Sequence, residues 1–103
     1  MIAEPTSSEI LDALRGVVDP EMGINIVDLG LVYQTGARDG DVHVRMTMTT
    51  AACPLGESMA DEAAAVIRRR VPGVKSVSVQ LVWEPAWQPS MMSAAARAHL
   101  GWK

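Results

Sequence analysis

With 103 residues, the chain has the length of a single domain, residues 1–103. Its formal net charge of −3 argues against a broad basic surface, and so against nucleic acid as a partner. Its one cysteine excludes an internal disulfide and any self-contained four-cysteine zinc or cluster site.

An apolar share of 49% allows a modest core, so no metal or cofactor is required for folding. The opening Met-Ile-Ala-Glu-Pro-Thr-Ser-Ser-Glu has neither the basic region nor the apolar stretch of a signal peptide. No apolar run approaches a membrane span. The expected setting is a reducing cytoplasm with no membrane partner.

Thr6 to Val17 reads as a first helix, with capping-box spacing between Thr6 and Glu9 and an apolar stripe at Ile10, Leu11 and Leu14. Pro20 and Gly23 break it, and the Gly, Pro and acid-rich stretch that follows reads as loop. A strand is expected at about Leu31 to Thr35, then a turn at Arg38-Asp39-Gly40 and a return strand from Asp41 to Thr49. In that return strand Val42, Val44, Met46 and Met48 alternate with His43, Arg45, Thr47 and Thr49, which predicts one buried face and one polar face.

Leu55 to Val71 has the composition of a central helix, with Met59, Ala63, Val66 and Ile67 on one side. Arg68-Arg69-Arg70 falls in its last turn, where cations complement the helix dipole. Pro72-Gly73 ends it. Val77, Val79, Leu81 and Trp83 mark a third strand, parallel to the second across a helical crossover. After the stiff Glu84 to Pro89 segment, Ser90 is placed to cap a last helix closed by Gly101. Trp83, Trp87, Met91 and Met92 either complete the core or form a subunit contact, and the core is favoured. The predicted order is α-β-β-α-β-α: an α+β, two-layer domain with a mixed three-stranded sheet and helices mainly on one face.

Cys53 sits where the second strand hands over to the central helix. With Pro54 suited to the first helical position, Cys53 falls at the N-cap. Free backbone N–H groups and the positive helix end there bias a thiol toward thiolate, the form that attacks electrophiles and binds metals. A lone cysteine is also often just a small buried hydrophobe. Asp19, Glu21 and Asp28 fall within ten residues before the first strand of the hairpin. Antiparallel pairing would bring the start of that strand beside Thr49, Thr50 and Cys53. Turn and capping duties account equally for Asp19 and Asp28. A cluster of this composition suits metal or cluster handling, with the thiolate as soft ligand and the carboxylates as harder ones. Nucleophilic catalysis is the weaker alternative, because His43 and His99 sit in no recognisable motif.

Val18-Asp19-Pro20-Glu21-Met22-Gly23 through Val27-Asp28-Leu29-Gly30-Leu31-Val32-Tyr33 resembles the opening signature of the small iron–sulfur cluster assembly domain family. That family includes SufT-like and PaaD-like proteins and the eukaryotic cytosolic cluster-targeting factors. Met46-Thr47-Met48-Thr49-Thr50 with Cys53-Pro54 resembles its second block. Gly73-Val74 to Val79, Trp83-Glu84-Pro85-Ala86-Trp87 and Met92-Ser93 resemble its third.

The resemblance implies a maturation factor for iron–sulfur proteins rather than an enzyme, with scaffold or client proteins as partners. It carries the family's reactive cysteine to Cys53, as a ligand or transfer residue for iron, sulfide or a transient cluster. It carries the candidate site to Asp19, Glu21, Asp28, Thr49 and Thr50. PaaD-like members have a further cysteine-rich segment that this sequence lacks, so the stand-alone, SufT-like form is the expected one. One cysteine cannot complete a cluster's ligation. The other ligands would come from a homodimer partner, a client or scaffold, a small thiol, or the carboxylates. A metal-free adaptor linking clients to the assembly machinery is the alternative.

Overall fold

The computed structural model describes residues 5–49 and 56–101. Helix α1 covers Ser7–Leu14. Its start is the capping box read from the sequence: Glu9 N donates to Thr6 Oγ1 at 3.1 Å, and Thr6 N donates to Glu9 Oε1 at 3.1 Å. The helix ends three residues earlier than expected. Gly16 N turns back to Ala13 O and Val17 N to Leu14 O, while Val17 O accepts from Ile26 N and joins the next element.

The acidic stretch expected to be loop is instead a small antiparallel hairpin. Strand β1, Val18–Asp19, pairs with β2, Ile24–Asn25. Local alternation is too short there to register as strand, and the pairing is set by turn chemistry at Asp19 and Gly23. Strand β3, Val32–Arg38, then pairs antiparallel with β4, Asp41–Met46, through a two-residue turn. Asp39 at φ 53° and Gly40 at φ 85° both take the left-handed conformation that such turns need. A register shift between Val32 and Gln34 bulges the start of β3.

Helix α2, Gly56–Arg70, buries Met59, Ala63, Val66 and Ile67, the face its periodicity predicted, and exposes Arg68, Arg69 and Arg70. It leads into β5, Ser76–Leu81, parallel to β4 as expected, so the sheet order is β3-β4-β5. Val42, Val44 and Met46 point into the core beneath the helices, while Asp41, His43 and Arg45 are exposed on the open face. Each fully buried Leu, Ile, Val or Met contributes about 1.5–3 kcal/mol. The alternation stops where β4 stops: Thr47, expected on the polar face, is 1% exposed.

The last helix, α3, covers Ala94–His99. Its cap is Ser93, whose Oγ accepts from Ala96 N at 3.1 Å. Ser90, the expected cap, lies within a short 3-10 turn at Pro89–Met91. Gly101, at φ 75°, follows the helix. Met92 and Ala96 belong to the core and Trp87 packs against it. Trp83 does not complete the core: it is 42% exposed. The α+β reading holds, with helices over one face of a mixed three-stranded sheet and a hairpin added ahead of it.

Candidate functional site

The acidic segment is organised by two side chains that bond to nearby chain. Asp19 is 4% exposed, and its Oδ1 accepts from Glu21 N at 2.8 Å and Met22 N at 3.2 Å. Its carbonyl accepts from Gly23 N at 2.8 Å, closing the β1–β2 turn where Gly23 stands at φ 69°. Asp28 forms a reciprocal pair with Asn25: Asn25 Nδ2 donates to Asp28 Oδ2 at 2.8 Å, and Asp28 N donates to Asn25 Oδ1 at 2.9 Å. Glu21 is exposed between them. Turn and capping work therefore does describe Asp19 and Asp28.

The same segment anchors the end of the chain. Asp28 O accepts from Ser93 N at 2.8 Å, and Leu29 O accepts from Trp87 Nε1 at 2.7 Å. Gly30, at φ 77°, lies so close to Met91 O that no Cβ fits between them. A surface cleft of about 290 Å³ results, lined by Arg15, Val18, Asn25, Asp28, Ala96 and His99. Asn25, Arg15 and His99 were not part of the sequence-derived cluster. Asn25 was legible in principle, since Asn and Asp side chains favour turns by bonding to nearby backbone. His99 reaches the cleft only through tertiary packing.

At the other end of the segment, Thr47 N donates to Leu31 O at 2.8 Å. The start of β3 therefore does lie beside the chain leaving β4, as antiparallel pairing required. Thr49, the next candidate, is half-buried. Thr50 and Cys53, with the expected N-cap of the central helix, lie outside the described residues. Among the described residues, no three His, Asp or Glu side chains gather in a way that could hold a metal ion. His43 lies on the open sheet face, its imidazole packed against Gly36.

Tyr33 closes the region on the β3 side. Its hydroxyl donates to Pro85 O at 2.8 Å and approaches Met91 Sδ at 3.5 Å. Burial raises the phenol above its ordinary value of 10.0.

The pattern of the family described as "iron-sulfur cluster assembly protein" matches residues 7–81, from the first turn of α1 to the end of β5. The chain belongs to that family. It is 41% identical over 99 residues to the Fe-S protein maturation auxiliary factor YitW of Bacillus subtilis, covering 95% of this chain and 96% of that protein. It is 42% identical over 86 residues to the Fe-S protein maturation auxiliary factor SufT of Staphylococcus aureus, covering 82% and 97% respectively. The crystal structure of a domain of unknown function from Bacillus anthracis, DUF59, superposes with a TM-score of 0.89 at 35% identity, covering 93% of this chain and 92% of that one. The similarity to these proteins runs over most of the chain and over nearly all of each of them. The C-terminal segment that packs on Asp28 and Leu29 lies beyond the residues matched by the family pattern.

Proposed function

We propose that the chain is an iron–sulfur cluster assembly or maturation factor in which Cys53 is a labile ligand or transfer residue for iron, sulfide or cluster. The observation that carries this reading is family membership over residues 7–81, with two curated maturation factors matched over nearly their whole length. The role is that of a carrier in the cytoplasm, not of an enzyme that turns over a substrate. Cys53 thiolate supplies one soft ligand, and the hydroxyls of Thr49 and Thr50 donate hydrogen bonds to the sulfur or to the cargo.

Most of the further ligands come from outside the domain. Asp19 is committed to two backbone amides and Asp28 to Asn25, so withdrawing either carboxylate would strand buried or half-buried donors. Glu21, exposed on the turn, is the carboxylate most available to reach a metal. A client or scaffold protein completing the coordination sphere suits a factor that must release its cargo. The same shortage of internal ligands favours a second reading, a metal-free adaptor in which Cys53 contacts the partner itself.

Anaerobic reconstitution with ferrous iron and sulfide separates the two. A carrier shows visible absorption and a Mössbauer signal that Cys53→Ser abolishes, and it passes its cluster to an apo-ferredoxin. An adaptor stays colourless and binds neither iron nor sulfide, while Cys53→Ser still weakens its hold on client or scaffold. Turnover of a small substrate by wild type but not by Cys53→Ser would replace both readings with that of a thiol enzyme.

A further inference from the structure

The two edges of the three-stranded sheet are built differently. The β3 edge carries the bulge between Val32 and Gln34, Gly36 in its middle and Arg38 at its end. Bulges and terminal charges are the usual means of keeping an edge from pairing with another chain. The β5 edge has none of them. Ser76-Val77-Ser78-Val79-Gln80-Leu81 contains no charge, proline or glycine, and every second side chain is a half-buried aliphatic.

The direction of its free backbone groups follows from the parallel ladder. Ser76 N donates to Gly40 O and Val82 N to Met46 O, so the even-numbered residues of this strand face β4. Period two then turns the N–H and C=O groups of Val77, Val79 and Leu81 away from the sheet. Among the described residues, none of these outward groups is taken by another element. Two residues beyond Leu81 stands Trp83, one of two large apolar side chains counted as exposed among the described residues.

We propose that β5 is a homodimerisation edge, pairing antiparallel with β5 of a second copy about a two-fold axis through Val79 to give a continuous six-stranded sheet. This register is the one that uses all three outward-facing residues. Val79 meets its own copy, and Val77 meets the partner's Leu81, each pair exchanging two hydrogen bonds. Their side chains lie on the helix side of the sheet, so pairing completes the burial of aliphatic groups that the single chain leaves half-covered.

On the open face Ser78 comes opposite the partner's Gln80, two uncharged polar side chains able to hydrogen-bond. No like charges meet anywhere along the strand. A second copy fits this edge because the match is reciprocal, each half supplying what the other lacks. The interface uses no residue of the cluster-handling reading and stands or falls apart from it.

Sedimentation equilibrium from micromolar to millimolar protein tests the proposal, with Ser78→Lys/Gln80→Lys as the disruptive variant. Both positions are exposed in the single chain, so the variant keeps the wild-type circular dichroism spectrum and melting temperature of the monomer. Across the two-fold it sets ammonium groups directly opposite one another, and the dimer dissociation constant rises about tenfold or more.

The register is tested by oxidation in a Cys53→Ser background. A mixture of chains carrying Ser78→Cys and Gln80→Cys forms a disulfide-linked heterodimer, because residues opposite in a non-hydrogen-bonded pair are close enough to bridge. Neither variant alone cross-links efficiently. A chain that stays monomeric to millimolar concentration, a dimer indifferent to the lysine pair, or cross-linking equal in the single variants and the mixture would each overturn the proposal. Monomeric behaviour would leave the edge for a strand of a different protein.

Discussion

Asp19 and Glu21 stand two residues apart and do different work. Asp19 Oδ1 satisfies two amides of its own turn from a buried position, so Asp19→Ala leaves donors without a partner. We expect a loss of about 1–3 kcal/mol, read by urea denaturation, with Asp19→Asn retaining much of the stability because it keeps an acceptor oxygen. Glu21→Ala should change stability by no more than about 0.5 kcal/mol. If Glu21 ligates iron, the same variant lowers iron content in reconstitution while the fold is untouched.

Tyr33 adds a pH dependence of known sign. Its phenol is raised in the folded chain relative to the unfolded one, so its contribution is fully present below pH 10 and is lost as pH rises through the folded value. Tyr33→Phe, lacking the hydroxyl that donates to Pro85 O, should lower stability by about 1 kcal/mol near neutrality and remove that alkaline decline. Denaturation midpoints measured from pH 8 upward would check it.

At the scale of elements, the segment from β2 to β3 acts as a dock for the C-terminal strap. Ser93 bonds to Asp28, Trp87 to Leu29, and Met91 closes over Gly30. Gly30→Ala combines a left-handed φ with a clash against backbone, which cannot rotate away as a side chain could. A loss of about 2–4 kcal/mol is expected, with Trp87 becoming more exposed to solvent, visible as a red shift in fluorescence. Thr6→Ala, which removes the capping box of α1, should cost only about 1 kcal/mol because an exposed helix end can be rescued by water. The contrast is measurable by thermal melting under one set of conditions.

At the scale of the molecule, one core joins every layer. Ile10 and Leu14 of α1, Val42 and Val44 of β4, Ile67 of α2, and Met92 beyond the last strand belong to a single buried cluster. Helical circular dichroism and tryptophan fluorescence should therefore report the same unfolding midpoint, since no layer can leave without exposing the others. Met92→Ala should lower that common midpoint, with a loss of about 2–5 kcal/mol of stability, rather than release the strap alone. Separate transitions would show that the C-terminal segment folds independently of the sheet.

Periodicity and capping chemistry were enough to recover the body of the fold from sequence. The buried face of α2, the alternation in β4, the Asp39-Gly40 turn and the Thr6 cap depend on contacts within a few residues, and local pattern records such contacts directly. The three family-like blocks made the family legible too, because they place Asp19, Asp28, Thr49 and Cys53 in a fixed order along the chain. Other features were decided by packing. Ser93 rather than Ser90 caps α3 because Ser93 N is held by Asp28 O across the molecule. Thr47 is buried because β4, and its alternation of faces, ends at Met46, and Thr47 N is held by Leu31 O. The acidic stretch became a hairpin because one aspartate could gather the amides of its own turn. Sequence determined which surfaces must be buried and which family the chain resembles. Only the tertiary structure decided which polar groups were already spent on backbone bonds, since a hydrogen bond between distant residues leaves no periodic trace in the chain.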